Sequence, residues 1–254
     1  MTTGTVAVVI PAKDEQRRIA ATVEAAGTLP GVDVVVVVSD GSTDHTAGYA
    51  QRAGAVTIAL PYTRGKASAM VAGADAVHVL DEADHRVLPR HLLFLDADLG
   101  ETAATAAPLI EPVLRGQTDM AIALFPRTVR GGGHGLALRL ARHAILEFTG
   151  WAPLQPLSGQ RCLTRAAFDA ARPLASGFGV ETGMTVDLLR AGFRAMEVPV
   201  PLGHRITGTD LGSQLHRARQ FRDISRAIAT RSLPTDTVNR LRRLRHVPVP
   251  RCAA

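Results

Sequence analysis

The chain reads as an α/β protein: a mostly parallel sheet with helices on both faces, in one domain that ends in an amphipathic helix. Three observations predict this. Short, near-continuous apolar runs rich in valine and leucine recur through the first half, as strands buried on both faces require. Segments with helical spacing alternate with those runs. Polar clusters follow four of the runs, and a parallel sheet would gather such clusters along one edge.

The elements follow in order. Val6 to Ile10 is the first expected strand, and Glu15 to Ala26 carries Ile19, Val23 and Ala26 at helical spacing. Val34 to Val38 is the second strand, with Asp44 to Ala53 helical after it. Val56 to Leu60 precedes an alanine-rich helix from Lys66 to Val77. Leu92 to Leu95 is the fourth strand, Ala103 to Leu114 is helical, and Met120 to Phe125 is the fifth strand. The second half is less regular. Arg130-Gly131-Gly132-Gly133-His134-Gly135 reads equally as a connector and as a lid loop, before a helix of about 14 residues ending near Gly150. A short strand around Gln160 to Leu163 leads to a helix from Arg165, a helix over Val180 to Ala191 and a strand over Ala195 to Val200. Asp210 to Thr230 is a long helix with Leu211, Leu215, Ala218, Ile224 and Ile228 on one side.

Composition sets the class. With 254 residues and 46% hydrophobic content the chain supports a sizeable core. No stretch approaches the ~20 apolar residues of a membrane span. No charged leader with a cleavage site precedes the first strand, so no signal peptide is expected. Cys162 and Cys252 form no metal-ligand spacing, and a reduced, cytoplasmic setting is the simplest expectation. The net charge of +6 is uneven: from His204 onward 11 Arg oppose 3 Asp, while 18 basic and 20 acidic groups precede them. Such a region fits a phosphate-rich substrate or an anionic membrane surface, or is only a solvated tail around Arg242, Arg243 and Arg245. Nucleic acid is not an expected partner, because aromatics make up only 4% and do not interleave with the basic residues.

The chemistry lies in the four clusters. Asp96-Ala97-Asp98 closes the run Leu92 to Leu95 and sets two carboxylates at a strand end. Oxygen ligands so placed favour Mg²⁺ or Mn²⁺ shared with substrate phosphates. Pro11-Ala12-Lys13-Asp14-Glu15 and Ser39-Asp40-Gly41-Ser42-Thr43-Asp44 end the first two strands. Carboxylates there can accept from base N–H or ribose hydroxyl groups. Arg64-Gly65-Lys66 follows the third strand, where a lysine near a helix start can meet a diphosphate.

In that order the clusters resemble the family 2 glycosyltransferases and relatives with the GT-A, Rossmann-like, nucleotide-sugar fold, from Val6 to about Phe221. The resemblance implies sugar transfer from a nucleoside diphosphate sugar. It implies that Pro11, Ala12, Asp14, Glu15, Asp40, Lys66, Asp96 and Ala97 bind the donor, while Asp98 holds Mg²⁺ or Mn²⁺. Further on, Pro156-Leu157-Ser158-Gly159-Gln160, Gly179-Val180-Glu181-Thr182-Gly183 and His204-Arg205 are similar to glucosyl-3-phosphoglycerate synthases. That branch implies His204 as the ligand that completes the metal site, Glu181 as a catalytic group near the acceptor, and Ser158, Gly159 and Arg205 as acceptor contacts. Gln160 stands where those synthases usually carry an acidic residue. Glu197-Val198-Pro199-Val200 with Arg205 and Gly208 is equally similar to polyprenyl-phosphate sugar transferases, although Asp210 replaces the lysine of that branch.

The expectation is therefore a metal-dependent hexosyltransferase using a nucleoside diphosphate sugar, UDP-glucose first among them. Its acceptor bears a phosphate, such as 3-phosphoglycerate; a polyprenyl phosphate at the membrane surface is the alternative, and a sugar-phosphate nucleotidyltransferase a more distant one. Residues 1–232 form the transferase domain, with 1–126 as the nucleotide-sugar half, 127–232 as the acceptor half and 233–254 as a basic tail. A homodimer and peripheral membrane contact are left open.

Overall fold

The computed structural model describes residues 4–125, 135–201 and 211–232. Strands β1 (Val6–Ala12), β2 (Val32–Asp40) and β3 (Val56–Leu60) alternate with helices α1 (Ile19–Gly27), α2 (Thr46–Arg52) and α3 (Lys66–Ala83). After β4 (His91–Phe94), a 3-10 helix over Gly100–Leu109 runs into α4 (Ile110–Leu114). Then come β5 (Met120–Leu124), α5 (Gly135–Thr149), β6 (Arg161–Leu163) and α6 (Arg165–Ala170). A 3-10 turn at Gly177–Gly179, α7 (Val180–Arg190), β7 (Ala195–Pro199) and α8 (Leu211–Ser232) complete the described chain.

The seven strands form one sheet in the order β3-β2-β1-β4-β6-β5-β7. Every pairing is parallel except those of β6, which runs antiparallel to β4 and β5. The reversal has a direct consequence for the site. The carboxyl ends of the parallel strands and the start of β6 share one edge, so Ser158-Gly159-Gln160 joins the clusters that follow β1 to β4.

Each face of the sheet is buried. One carries Val8, Ile10, Val37 and Leu93 against α1 and the 3-10 helix; the other carries Val9, Val38 and Phe94 against α3, α6 and α7. The second contact is close: a Cβ on Gly73 of α3 would lie 2.4 Å from Val9 Cγ1. Only glycine lets that helix sit so near β1.

Among the departures from the sequence expectation, three have a local reason. The first helix begins at Ile19 rather than Glu15, because Asp14 has φ +53° and the Glu15 and Gln16 amides donate to Thr46 Oγ1 and Asp44 Oδ2. The segment expected as a helix over Ala103 to Leu114 is 3-10 until Leu109. Pro108 supplies no amide there, and the Thr102 and Thr105 hydroxyls occupy the carbonyls of Leu99 and Thr102. On the described side chains of α8, from Ala218 on, Ala218 faces solvent and Gln220, Ile224 and Ala227 are buried. Among the described residues no helix is long and apolar enough to cross a membrane.

At the amino edge of the sheet a charged network ties β2, α3, β4 and α6 together. Arg90 reaches Asp33 (2.7 Å), Asp81 (2.7 Å) and Asp84 (2.6 Å); Arg86 pairs with Asp33 (3.0 Å) and Arg165 with Asp81 (3.4 Å). Burial disfavours the Arg90 charge, yet its three carboxylate partners hold it protonated.

Candidate active site

The loops after β1 and β2 are stitched into one surface. Asp14 N donates to Ser42 Oγ (3.1 Å) and Thr43 N donates to Asp14 Oδ1 (2.8 Å). Glu15 N meets Thr46 Oγ1 at 2.8 Å, and the Thr46 hydroxyl caps back onto Asp44. Desolvation works against the Asp44 charge, but donors from Thr46 and Gln16 hold its carboxyl below the ordinary value. Ala12 lies level with Ser39 in the β1–β2 register, next to Pro11 opposite Val38.

Asp40 carries the second cluster onto the third. Its buried carboxylate accepts from Arg64 N (2.7 Å) and Gly65 N (2.8 Å), which fixes the loop leading into α3. Gly41 makes this fit, since at φ +64° a Cβ would stand 2.3 Å from Thr63 N. Asp40 thus shapes the loop that delivers Lys66.

Lys66 is the meeting point. Its Nζ lies 2.9 Å from Asp96 Oδ1 and 3.0 Å from Glu181 Oε1. Burial alone would lower the lysine, but the two carboxylates reverse this and hold the ammonium above its ordinary range. Gln160 Nε2 donates to Asp96 Oδ2 at 2.6 Å. An amide can donate there, whereas an ionised acidic side chain could only repel. Gly159 packs against the same group: a Cβ would be 2.5 Å from Lys66 Nζ and 3.1 Å from Asp96 Oδ1. Ser158 is buried, with its Oγ 3.5 Å from Gln160 Oε1, so its hydroxyl points within the turn.

Arg161 supports this turn from beneath. Fully buried, it donates to the carbonyls of Pro156 (2.8 Å), Ser158 (2.8 Å) and Glu181 (3.1 Å) and to Thr185 Oγ1 (2.8 Å). One guanidinium therefore locks the loop before β6 to the first turn of α7. Burial drives its pKa down to about 10, partly offset by the charges of Glu181 and Glu197. Above it opens a cavity of about 440 Å³ bounded by Lys66, Asp96, Gly159, Phe178, Glu181 and Gln220.

The Asp96-Ala97-Asp98 turn is pinned to α1 by Thr22, whose Oγ1 donates to Ala97 O (2.9 Å) and accepts from Gly100 N (2.8 Å). Asp96 consequently faces the Lys66 group, while Asp98, two residues on, is about one-third exposed and lies 4.0 Å from Arg18 Nη1. Among the described residues no group of three His, Cys, Asp or Glu is gathered to hold a metal. Among the described residues the carboxylate of this turn that Lys66 does not engage is Asp98. That fits Mg²⁺ or Mn²⁺, which bind through one or two carboxylates and complete their shell with water and substrate phosphate.

Of the residues singled out from sequence, Asp14, Glu15, Asp40, Lys66, Asp96, Asp98, Gly159 and Glu181 thus converge along one edge. His204, Arg205, the basic tail and the run Arg130 to His134 lie outside the described residues. Arg161 and Gln220 were not legible as site residues. A lone arginine beside an apolar strand gave the only signal for the first, and a glutamine interrupting the apolar stripe of a helix the only one for the second.

The chain matches the model of glycosyl transferase family 2 over residues 7–170, well over half its length. It belongs to that family. The chain is 30% identical over 184 residues to glycosyltransferase AglJ of Haloferax volcanii, an alignment covering 69% of this chain and 56% of that protein. It thus spans little more than half of that relative. A glucosyl-3-phosphoglycerate synthase of Mycolicibacterium paratuberculosis is 29% identical over 245 residues, covering 87% of this chain and 68% of the synthase. The crystal structure of the Mycobacterium tuberculosis glucosyl-3-phosphoglycerate synthase in complex with Mn²⁺, UDP and glucosyl-3-phosphoglycerate superposes with a TM-score of 0.71 at 25% identity. That match covers 89% of this chain and 80% of the other. The GT-A fold expected from the four clusters is the fold observed.

Proposed function

We propose that this glycosyltransferase moves a hexose from UDP-glucose to a phosphate-bearing acceptor such as 3-phosphoglycerate, with Mg²⁺ or Mn²⁺. One observation carries the reading: Lys66 after β3, Asp96 after β4 and Glu181 on α7 meet within 3.0 Å, and Asp98 follows Asp96 by two residues. Similarity to the synthases supports this choice of donor and acceptor.

Residues 1–126 then serve the donor and 127–232 the acceptor, and the Lys66–Glu181 pair joins the two halves. Asp14, Glu15 and Asp40, with Pro11 and Ala12, form the nucleoside end. Asp98 would hold the metal, with His204 as its further ligand, and the bound ion would supply positive charge for the departing diphosphate. Lys66 adds a fixed ammonium to the same end of the bond that breaks. The C1–O bond to the diphosphate breaks with its electron pair leaving on UDP, and the acceptor oxygen forms the new bond to C1. Glu181 is engaged by Lys66, so its work is orienting the acceptor rather than deprotonating it. The hydroxyl proton passes to the departing diphosphate oxygen. Gly159, Ser158 and Arg205 shape the acceptor end.

The test is release of UDP from UDP-glucose with Mn²⁺, measured with and without 3-phosphoglycerate and followed by mass of the product. The expected result is acceptor-dependent release and a glucosylated phosphoglycerate. Release of pyrophosphate from a nucleoside triphosphate instead would show a nucleotidyltransferase.

A further inference from the structure

The cavity beside Lys66 contains one unbalanced feature. Among the described residues three buried side-chain polar atoms have no hydrogen-bond partner: His91 Nδ1, Thr182 Oγ1 and Gln220 Oε1. Of these residues only Gln220 borders this cavity. It is 92% buried, since its relative exposure is 8%. It also interrupts an apolar stripe: Ile224 and Ala227, one and two turns further along α8, are buried against the domain. A carbonyl placed in such a stripe without a partner weakens the fold and returns nothing to it.

The placement of Gln220 is built rather than incidental. Helix α8 rests directly on the turn Gly177–Gly179. A Cβ on Gly177 would lie 2.1 Å from Asp223 Oδ2, and one on Gly179 would lie 2.7 Å from Asp223 O. Two glycines therefore allow the approach, and Phe178 N donates to Asp223 Oδ2 at 3.4 Å. Gln220, one turn before Asp223, is held over the cavity by this seat.

The cavity wall selects the chemistry of what enters. Among the described residues Asp96, Glu181 and Gln220 Oε1 line it as acceptors, and the cation on the wall is Lys66, shared by two carboxylates. Apart from Lys66, which faces the diphosphate, the wall formed by the described residues offers acceptors. A neutral group rich in O–H donors would complement every face. At about 440 Å³ the space admits a hexose ring, and it opens next to Asp96, within reach of a sugar whose diphosphate lies at Lys66 and Asp98.

We infer that Gln220 is a specificity-determining residue whose Oε1 accepts a hydrogen bond from one hydroxyl of the transferred hexose. The inference rests on the sugar-transfer reading above. Binding the donor satisfies the orphaned carbonyl, and a sugar lacking that hydroxyl leaves it unpaired.

The experiment compares the full chain with its Gln220→Met variant, an isostere without the acceptor. UDP release is measured with Mn²⁺ from UDP-glucose and its 2-, 3-, 4- and 6-deoxy analogues. For the wild type, one analogue loses about tenfold in kcat/KM beyond the others, or about 1.4 kcal/mol. In Gln220→Met that extra loss disappears, because UDP-glucose itself has fallen to the level of the analogue. The unliganded variant melts about 2–4 °C higher, since an unpaired buried carbonyl has been removed. Equal losses across all the analogues, or a lower melting point, overturn the assignment of Gln220 and leave sugar transfer standing. No UDP release by the wild type from the whole panel overturns both.

Discussion

The two ends of the sheet each bury charge, but they do so in opposite ways. At the amino edge Arg86, Arg90 and Arg165 meet Asp33, Asp81 and Asp84, three cations against three carboxylates. That network closes on itself. At the carboxyl edge one ammonium, Lys66, faces Asp96 and Glu181, Gln160 supplies a neutral donor, and Gln220 Oε1 has no partner. A structural network satisfies each group with its neighbours; a binding site keeps groups poised for something else. Closure thus separates the two roles better than burial does, since both clusters contain nearly inaccessible side chains.

Substitutions sharpen the contrast. The largest expected effect on chemistry is Lys66→Met, which leaves Asp96 and Glu181 facing each other without their cation. Turnover drops on the order of 10²-fold, a loss read from UDP release at saturating donor. Asp81→Ala does the reverse. It strands Arg90 and Arg165 in a buried setting and costs about 3–5 kcal/mol, a melting point roughly 10 °C lower by calorimetry, with turnover per folded molecule retained. Should Lys66→Met prove the more destabilising of the two, the distinction between a closed and an open network fails.

Gln160→Glu has a smaller and pH-dependent effect. The new carboxyl would meet Asp96 Oδ2 where the amide now donates at 2.6 Å, so it must hold a proton to fit. Its folded pKa is raised, and the variant therefore loses stability and activity as pH rises, recovering as pH falls. About a tenfold activity loss at neutral pH, partly regained toward pH 5, is expected from a pH–rate profile. The smallest effect concerns Lys66 itself. Its ammonium is held above the ordinary 10.5, so the stabilisation from its ion pairs is whole at neutral pH and is lost only above that value. The wild-type profile should carry no lysine limb between about pH 7 and 10.

Much of the donor side was legible because its signals are local. Apolar strands followed by Asp14, Asp40, Lys66 and Asp96 need only a parallel sheet to converge, and periodicity supplies that. What escaped the sequence depends on distant partners. The antiparallel course of β6, which brings Gly159 and Gln160 to the shared edge, follows from pairing with both β4 and β5. Gln160 looked like a departure from an acidic position, and only its contact with Asp96 shows why an amide serves there. Arg161 works entirely through backbone carbonyls of separate segments, which no spacing rule anticipates. The start of α1 departs from expectation for the same reason: the amides of Glu15 and Gln16 are committed to side chains beyond β2.

The central claim is that these segments surround one cation and the diphosphate it grips. Calorimetric titration of UDP into the wild type and Asp98→Ala, each with Mn²⁺ and with EDTA, tests it most directly. Tight binding by the wild type only when Mn²⁺ is present, with that dependence abolished in Asp98→Ala, is the result predicted. Equal UDP affinity in all four titrations would contradict it.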